Sequence, residues 1–302
     1  MSSLSNSLTK TLSTRHGRVV VIAAASTAAA GILLIGIPAI RLATLHARLD
    51  KAITSFWSMG PYAKQAAAGR SGKQALLPPE VAAAAAGGHN GSDDHDDDEY
   101  RIFYEVATKT VAKAQLQGEV EQGEGLSSSS YEELLTRYLR HTMVEFQRFP
   151  QAWVLWLVTA AAAGGKEGRR RTFDKRYLAS LPFEAGDVVN GVYKVLGREG
   201  SVVVFGMAQG AVEGRMVVSI GDERERLDAR TGAWVAVAQV EGGGDKDEQD
   251  RAVVKNELFM WVKRSEGVVM PMERSVPRWL HEVANWWLMD EGTRWLASTE
   301  GK

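Results

Sequence analysis

The chain has 302 residues, 24% charged and 45% apolar, and its formal net charge is −1. That balance excludes a global attraction to nucleic acid, and no basic stripe interleaved with aromatics occurs. Cysteine is absent, which excludes disulfides, thiolate nucleophiles and thiolate metal sites.

Between Arg18 and Arg41 lie 22 residues without a charge. As a helix they would extend about 33 Å, enough for a hydrocarbon core of about 30 Å. A cleaved secretory h-region is shorter, about 7–15 residues, so the expectation is a transmembrane helix over 18–41. A cleaved targeting segment is the alternative. Residues 1–49 hold no Asp or Glu, and Lys10, Arg15 and Arg18 sit in a Ser/Thr-rich start. That composition suits a mitochondrial inner-membrane protein, with a secretory-pathway membrane as the alternative. Basic residues flank the span on both sides, so its orientation stays open.

Residues 64–99 read as a disordered tether ending in GGHNGSDDHDDDE. They cannot bury enough apolar surface to offset the entropy of ordering. His89, His95 and the Asp run match no EF-hand or zinc spacing. The expected organisation is a basic segment (1–17), a transmembrane helix (18–41), a juxtamembrane segment with an acidic linker (42–99), and an α+β domain (100–302).

YRIFYEVATKTVAKA (100–114) fits a strand or a helix. Ser130 with Glu133 reads as a capping box opening a helix that carries Leu134, Leu135, Tyr138, Leu139 and Met143. Pro150 interrupts near its end. AWVLWLVTAAAA (152–163) is too short to span a bilayer. It reads as a buried helix, or as one lying on a membrane surface with Trp153 and Trp156 as anchors. Arg169, Arg170 and Arg171 follow in a solvated loop that anionic lipid would attract. Beyond it the period becomes two. Runs 188–196, 201–207, 212–220, 234–240 and 252–264 read as five antiparallel strands joined by short turns. The chain closes with a helix over 275–296. Pro277 lies in its first turn, and Leu280, Val283, Ala284, Trp287 and Leu288 line one face.

This order resembles the helix-grip fold of the START-like, or SRPBCC, superfamily over about residues 130–298. LPFEAGDVVNGVYKVLGREGSVVVFGM (181–207) and VVKNELFMWVKR (253–264) carry the resemblance. It implies a curved antiparallel sheet wrapped on the long C-terminal helix, with an apolar cavity between them for a hydrophobic small molecule or lipid. A sixth or seventh strand must then come from 100–114 or 172–178; otherwise a hot-dog fold competes.

In 252–264, Val254, Asn256, Leu258, Met260 and Val262 share one parity. Lys255, Glu257, Phe259, Trp261 and Lys263 share the other. The first set should face the interior. Asn256 is its one polar member, and would orient a ligand or bond a neighbouring loop. Met216 and Val218, with Trp287 on the helix, complete the expected lining. His141 and His281 are the only histidines in the folded part. Asp187, Glu213, Asp222 or Glu257 could pair with His281, but no spacing asks for it, and no nucleophile elbow, HExxH or P-loop occurs. No cofactor or metal is expected. Three functions remain open: a membrane-tethered binder of an apolar molecule, a cyclase- or dehydratase-like enzyme, and an assembly factor of a membrane complex. The last rests on 152–163 and on Trp279, Trp286 and Trp295 being exposed.

Overall fold

The computed structural model describes residues 44, 49, 53–59, 78–81, 99–116, 127–162, 170–222, 225–227, 234–236 and 251–298. The chain divides into two compact units, 1–48 and 49–302. Every element below lies in the second. The span expected at 18–41 and nearly all of the acidic tether lie outside the described residues. Among the described residues no helix is long and apolar enough to cross a membrane.

The strands in chain order are β1 (Thr54–Met59), β2 (Tyr100–Ala112), β3 (Val188–Val189), β4 (Tyr193–Glu199), β5 (Val202–Gln209), β6 (Val212–Asp222), β7 (Glu225–Leu227), β8 (Trp234–Ala236) and β9 (Arg251–Lys263). Seven of them form one open, curved antiparallel sheet in the order β1-β2-β9-β6-β5-β4-β3. β7 and β8 pair with each other as a separate ribbon, so residues 234–236, the described part of the run 234–240, are not in the main sheet. Residues 100–114 are mostly strand, and β2 supplies the strand the resemblance required. Residues 172–178 do not; they lead into a short helix. β1 lies within the segment expected to be juxtamembrane. It pairs with β2 from Thr54↔Thr108 to Met59↔Phe103, so the folded part starts well before residue 100.

The helices are α1 (Lys113–Leu116), α2 (Ser128–Glu145), α3 (Pro150–Ala162), α4 (Lys175–Ser180) and α5 (Ser275–Ala297). The cap of α2 is Ser127, three residues earlier than expected. Its side chain accepts the Ser130 N–H at 3.2 Å, satisfying one of the free donors of the first turn. Leu134, Leu135, Tyr138, Leu139 and Met143 are all buried, so the helical spacing did identify the inner face. α2 ends in a 3-10 turn, Phe146–Arg148, and Pro150 opens α3 instead of breaking α2, which suits a residue with no N–H.

α2 and α5 cover one face of the sheet. Phe103, Ala107, Val203, Phe205, Met216, Val218, Val254, Leu258, Met260 and Val262 join Leu135, Leu139, Trp286, Met289 and Leu296 in that core. The opposite face has a second apolar cluster containing Tyr104, Val106, Val217, Phe259 and Trp261. β9 is therefore buried on both sides from Glu257 to Val262. That is the continuous pattern of a central strand covered on both faces.

α5 is rotated from its expected face. Its buried residues are Val283, Ala284, Asn285, Trp286, Met289, Gly292, Thr293 and Leu296; Leu280, Trp287 and Leu288 lie at the margin. Gly292 lets α5 approach α2. A Cβ there would stand 2.4 Å from Tyr138 Cε2 and 2.6 Å from Thr142 Cγ2, far inside van der Waals contact.

A charged seam under the C-terminal helix

β2 turns every second side chain toward the helices: Arg101, Phe103, Glu105, Ala107, Lys109 and Val111. The apolar members fill the core. The charged members recur every fourth residue, and each meets an opposite charge beyond the sheet. Arg101 Nη1 donates to Glu273 Oε1 at 2.8 Å, and its Nη2 donates to the Val268 carbonyl. Glu105 Oε2 lies 3.3 Å from His281 Nε2, and Asn285 Nδ2 donates to Glu105 Oε1 at 3.1 Å. Lys109 Nζ donates to Asp290 Oδ1 and Thr293 Oγ1, both at 2.7 Å.

The spacing follows from backbone geometry. Four strand residues, Glu105 to Lys109, advance about 13 Å. Eight helix residues, from the 281–285 turn to the 290–293 turn, advance about 12 Å. α5 therefore runs along β2 in the same direction, and the alternation of positive, negative and positive on β2 fixes its register.

The middle of the seam holds the polar cluster. Ala107 is paired with Asn256 across β2 and β9, and Asn256 is paired with Val218 on β6. Asn256 Nδ2 donates to Asn285 Oδ1 at 2.7 Å. The chain of contacts is thus Asn256 to Asn285 to Glu105, with His281 closing on Glu105. Asn256 Oδ1 is buried and accepts no hydrogen bond, which leaves one strong acceptor facing an apolar interface. Glu105 is 3% exposed and the His281 side chain 24%, so the cluster reaches from the core to the solvent edge of α5. Arg278, one turn before His281, lies over the Trp57 ring with Cζ 4.0 Å from its centre. Trp57 is the β1 partner of Glu105.

Burial alone would raise the Glu105 carboxyl. The charge of His281 and hydrogen bonds from His281 and Asn285 outweigh it, with help from Arg278, and hold the carboxyl below its ordinary value. Burial alone would lower His281; the Glu105 carboxylate outweighs that and holds the imidazole above its ordinary value. Each partner thus favours the charged form of the other.

The carboxylate facing His281 is none of the four considered from the sequence. Glu257 points to the other face, where Tyr104 OH donates to it at 3.2 Å. Asp222 accepts from Tyr131 OH and pairs with Lys113. Asp187 caps the Glu184 N–H, and Glu213 is exposed. Glu105 escaped notice because its strand was not distinguished from a helix. The signal was present: Arg101, Glu105 and Lys109 are the charged residues of this strand and share one parity.

Of the expected lining, Met216, Val218, Val254, Leu258 and Met260 lie together in the core under the helices, and Asn256 lies among them. The Asn256 amide nitrogen reaches Asn285 on α5 and not a neighbouring loop. Trp287 is half-buried against the same core and packs edge-on against Phe149, with ring centres 5.1 Å apart. His141 stacks on Trp295 at 4.5 Å. Among the described residues no group of three His, Asp or Glu converges as metal ligands would.

Compared with protein-family models, with curated proteins and with solved structures, the chain matches none.

Proposed function

We propose that the domain binds an apolar small molecule or lipid between α5 and the sheet, with the polar cluster holding the guest's polar end. In this reading the sheet and α5 form a helix-grip, and residues 18–41 tether the domain to a bilayer. The single observation that carries it is the Asn256 carbonyl oxygen, buried without a donor in an interface otherwise closed by Met216, Val218, Leu258 and Met260. A buried acceptor left unpaired costs about 1–3 kcal/mol. A guest presenting a hydroxyl, amide or acid proton removes that cost. The charged seam offers the way in, because its ion pairs exchange with water more cheaply than the core does.

The test uses the full chain purified from expressing cells. Organic extraction and mass spectrometry identify retained lipid, and an anthroyloxy-labelled fatty acid reports binding by fluorescence. Asn256→Leu removes the acceptor and Met260→Trp fills the space; both should lose the retained molecule and the fatty-acid signal, with circular dichroism at the assay temperature showing that each variant remains folded. No retained molecule and no fatty-acid signal in the wild type would count against the reading.

The Glu105–His281 pair favours a second reading, an enzyme of the cyclase or dehydratase kind, since a carboxylate and an imidazole in contact can move a proton at the guest. In that case Glu105→Gln converts the retained molecule from product to unreacted guest in the extract.

A further inference from the structure

α3 was expected to be buried or to lie on a membrane surface, and its described outer side chains are not buried. Trp153, Val154, Trp156 and Leu157 are 56%, 56%, 45% and 59% exposed. At 100° per residue these four positions cover an arc of about 160° on one side. Ala152 is buried and Leu155 half-buried on the other. Four large apolar side chains on one exposed arc form the kind of contiguous patch that marks an interaction site.

The patch is held firmly. Phe149, just before α3, is buried and packs on Trp287 of α5. Trp153 Nε1 donates to the Gln147 carbonyl at 3.1 Å, so its only polar atom is satisfied by the protein and its ring is left outward. Gln147 Nε2 in turn donates to the Phe173 carbonyl at 2.6 Å, which brings the 170–176 segment to the base of the helix.

That segment is cationic. Arg170, Arg171, Lys175 and Arg176 are exposed. Across 146–180 the chain has seven basic residues, Arg148, Lys166, Arg169, Arg170, Arg171, Lys175 and Arg176, against Glu167 and Asp174. Asp174 is occupied in capping α4, where it accepts from the N–H groups of Arg176 and Tyr177. An apolar face beside an excess of positive charge complements one surface in particular. Its acyl region takes Trp, Val and Leu, and its phosphate layer takes Arg and Lys.

We infer that α3 is a bilayer-docking helix, seated in the interface of an anionic membrane with Trp153, Val154, Trp156 and Leu157 inserted and Arg170 and Arg171 at the headgroups. This contact is separate from any anchor at 18–41 and rests on none of the binding reading above. Through Phe149 and Trp287 it sets the membrane surface against α5.

The absence of cysteine makes the test direct. In the full chain, Leu157→Cys and, as a control, Lys194→Cys on β4 carry a nitrobenzoxadiazole label. Each protein is mixed with vesicles of phosphatidylcholine, alone or with phosphatidylserine, containing a lipid-borne spin quencher. The expected result is quenching and a blue shift at 157 and neither at 194. Phosphatidylserine should strengthen the effect at 157, and Arg170→Ala should weaken it by about fivefold. A label at 157 that stays in water while the chain is vesicle-bound overturns the inference, as does failure of the chain to bind vesicles. A blue shift at 157 already present without lipid, lost on dilution, also overturns it and assigns the face to a second copy of the chain.

Discussion

The two flanks of α5 are held by different physics. On the α2 side the contact is steric: Gly292 lies against Tyr138 and Thr142 with no room for a methyl group. On the β2 side it is electrostatic, with Glu105 and Lys109 meeting His281 and Asp290 and Arg101 meeting Glu273 just before the helix. Dispersion between close-packed groups responds little to pH or salt. Ion pairs near solvent respond to both. One edge of the helix is therefore a fixed hinge line, and the other is a seam that solution conditions can loosen.

The largest effect should come from breaking the hinge. Gly292→Ala drives a methyl group into Tyr138, whose ring is itself buried. Overpacking of that kind costs about 1–3 kcal/mol, and the better helix propensity of Ala returns up to about 1 kcal/mol of it. Gly292→Val lacks that offset and should cost more. Urea unfolding should show the loss unchanged from low to high salt. Tyr138→Leu, combined with Gly292→Ala, should recover part of it, because the obstructing ring is gone. A loss that varies with salt would mean the two flanks are not distinct.

The seam should show itself through pH. His281 is raised in the folded state, so its contribution is complete below its ordinary value of 6.5 and is lost as pH rises through its higher folded value. Glu105 is lowered, so its contribution is complete above its ordinary value of 4.5 and is lost as pH falls through its lower folded value. The pair therefore stabilises most between 4.5 and 6.5. The charge of Arg278 favours the Glu105 carboxylate, while Glu282 adds to the field that favours protonated His281. His281→Gln should lower stability by about 1 kcal/mol inside that window, and its melting curve should merge with the wild type at alkaline pH. A deficit that persists unchanged at alkaline pH would show that His281 acts by packing alone.

How much of this could be read in advance divides along the same line. The inner faces of α2 and β9 were legible because period and burial agree there. Leu135, Leu139, Val254, Leu258 and Met260 all fall where the alternation put them. β2 was ambiguous because RIFYEVATK interleaves charge with apolar residues on a strand buried on both faces, and that blurs a period-two signal. The split between β3 and β4 had a signal that went unused: Asn190-Gly191 interrupts VVNGVYKVL, and both residues adopt positive φ, 47° and 75°, as a tight hairpin turn requires. The rotation of α5 was not legible. Trp286 and Trp287 are equally apolar, and which one turns inward depends on Gly292 meeting α2 and on Asn285 meeting Glu105. α3 kept two readings because an apolar helix looks the same whether it faces a core or leaves its face uncovered.

The smallest effect should be at the far end of the seam, and it bears most directly on whether the seam can open. Lys109 Nζ holds Asp290 and Thr293, but Asp290 also accepts from Arg294 Nε at 3.0 Å and Nη2 at 2.6 Å. Burial would raise the Asp290 carboxyl; hydrogen bonds from Lys109 and Arg294 outweigh it and keep it low. Removing Lys109 therefore does not strand a buried charge, because Arg294 remains. Lys109→Met keeps the apolar stem against α5 and should cost no more than about 0.5–1 kcal/mol. High salt should shrink the difference further, since the Arg294 side chain is well exposed. Hydrogen exchange at the last turns of α5 should accelerate without a change at Leu139 or Met143 on α2, because only the seam has been loosened. A cost above about 2 kcal/mol would mark Lys109 as a structural clamp. The β2 edge of α5 would then be as fixed as the α2 edge, and no guest could enter by parting it.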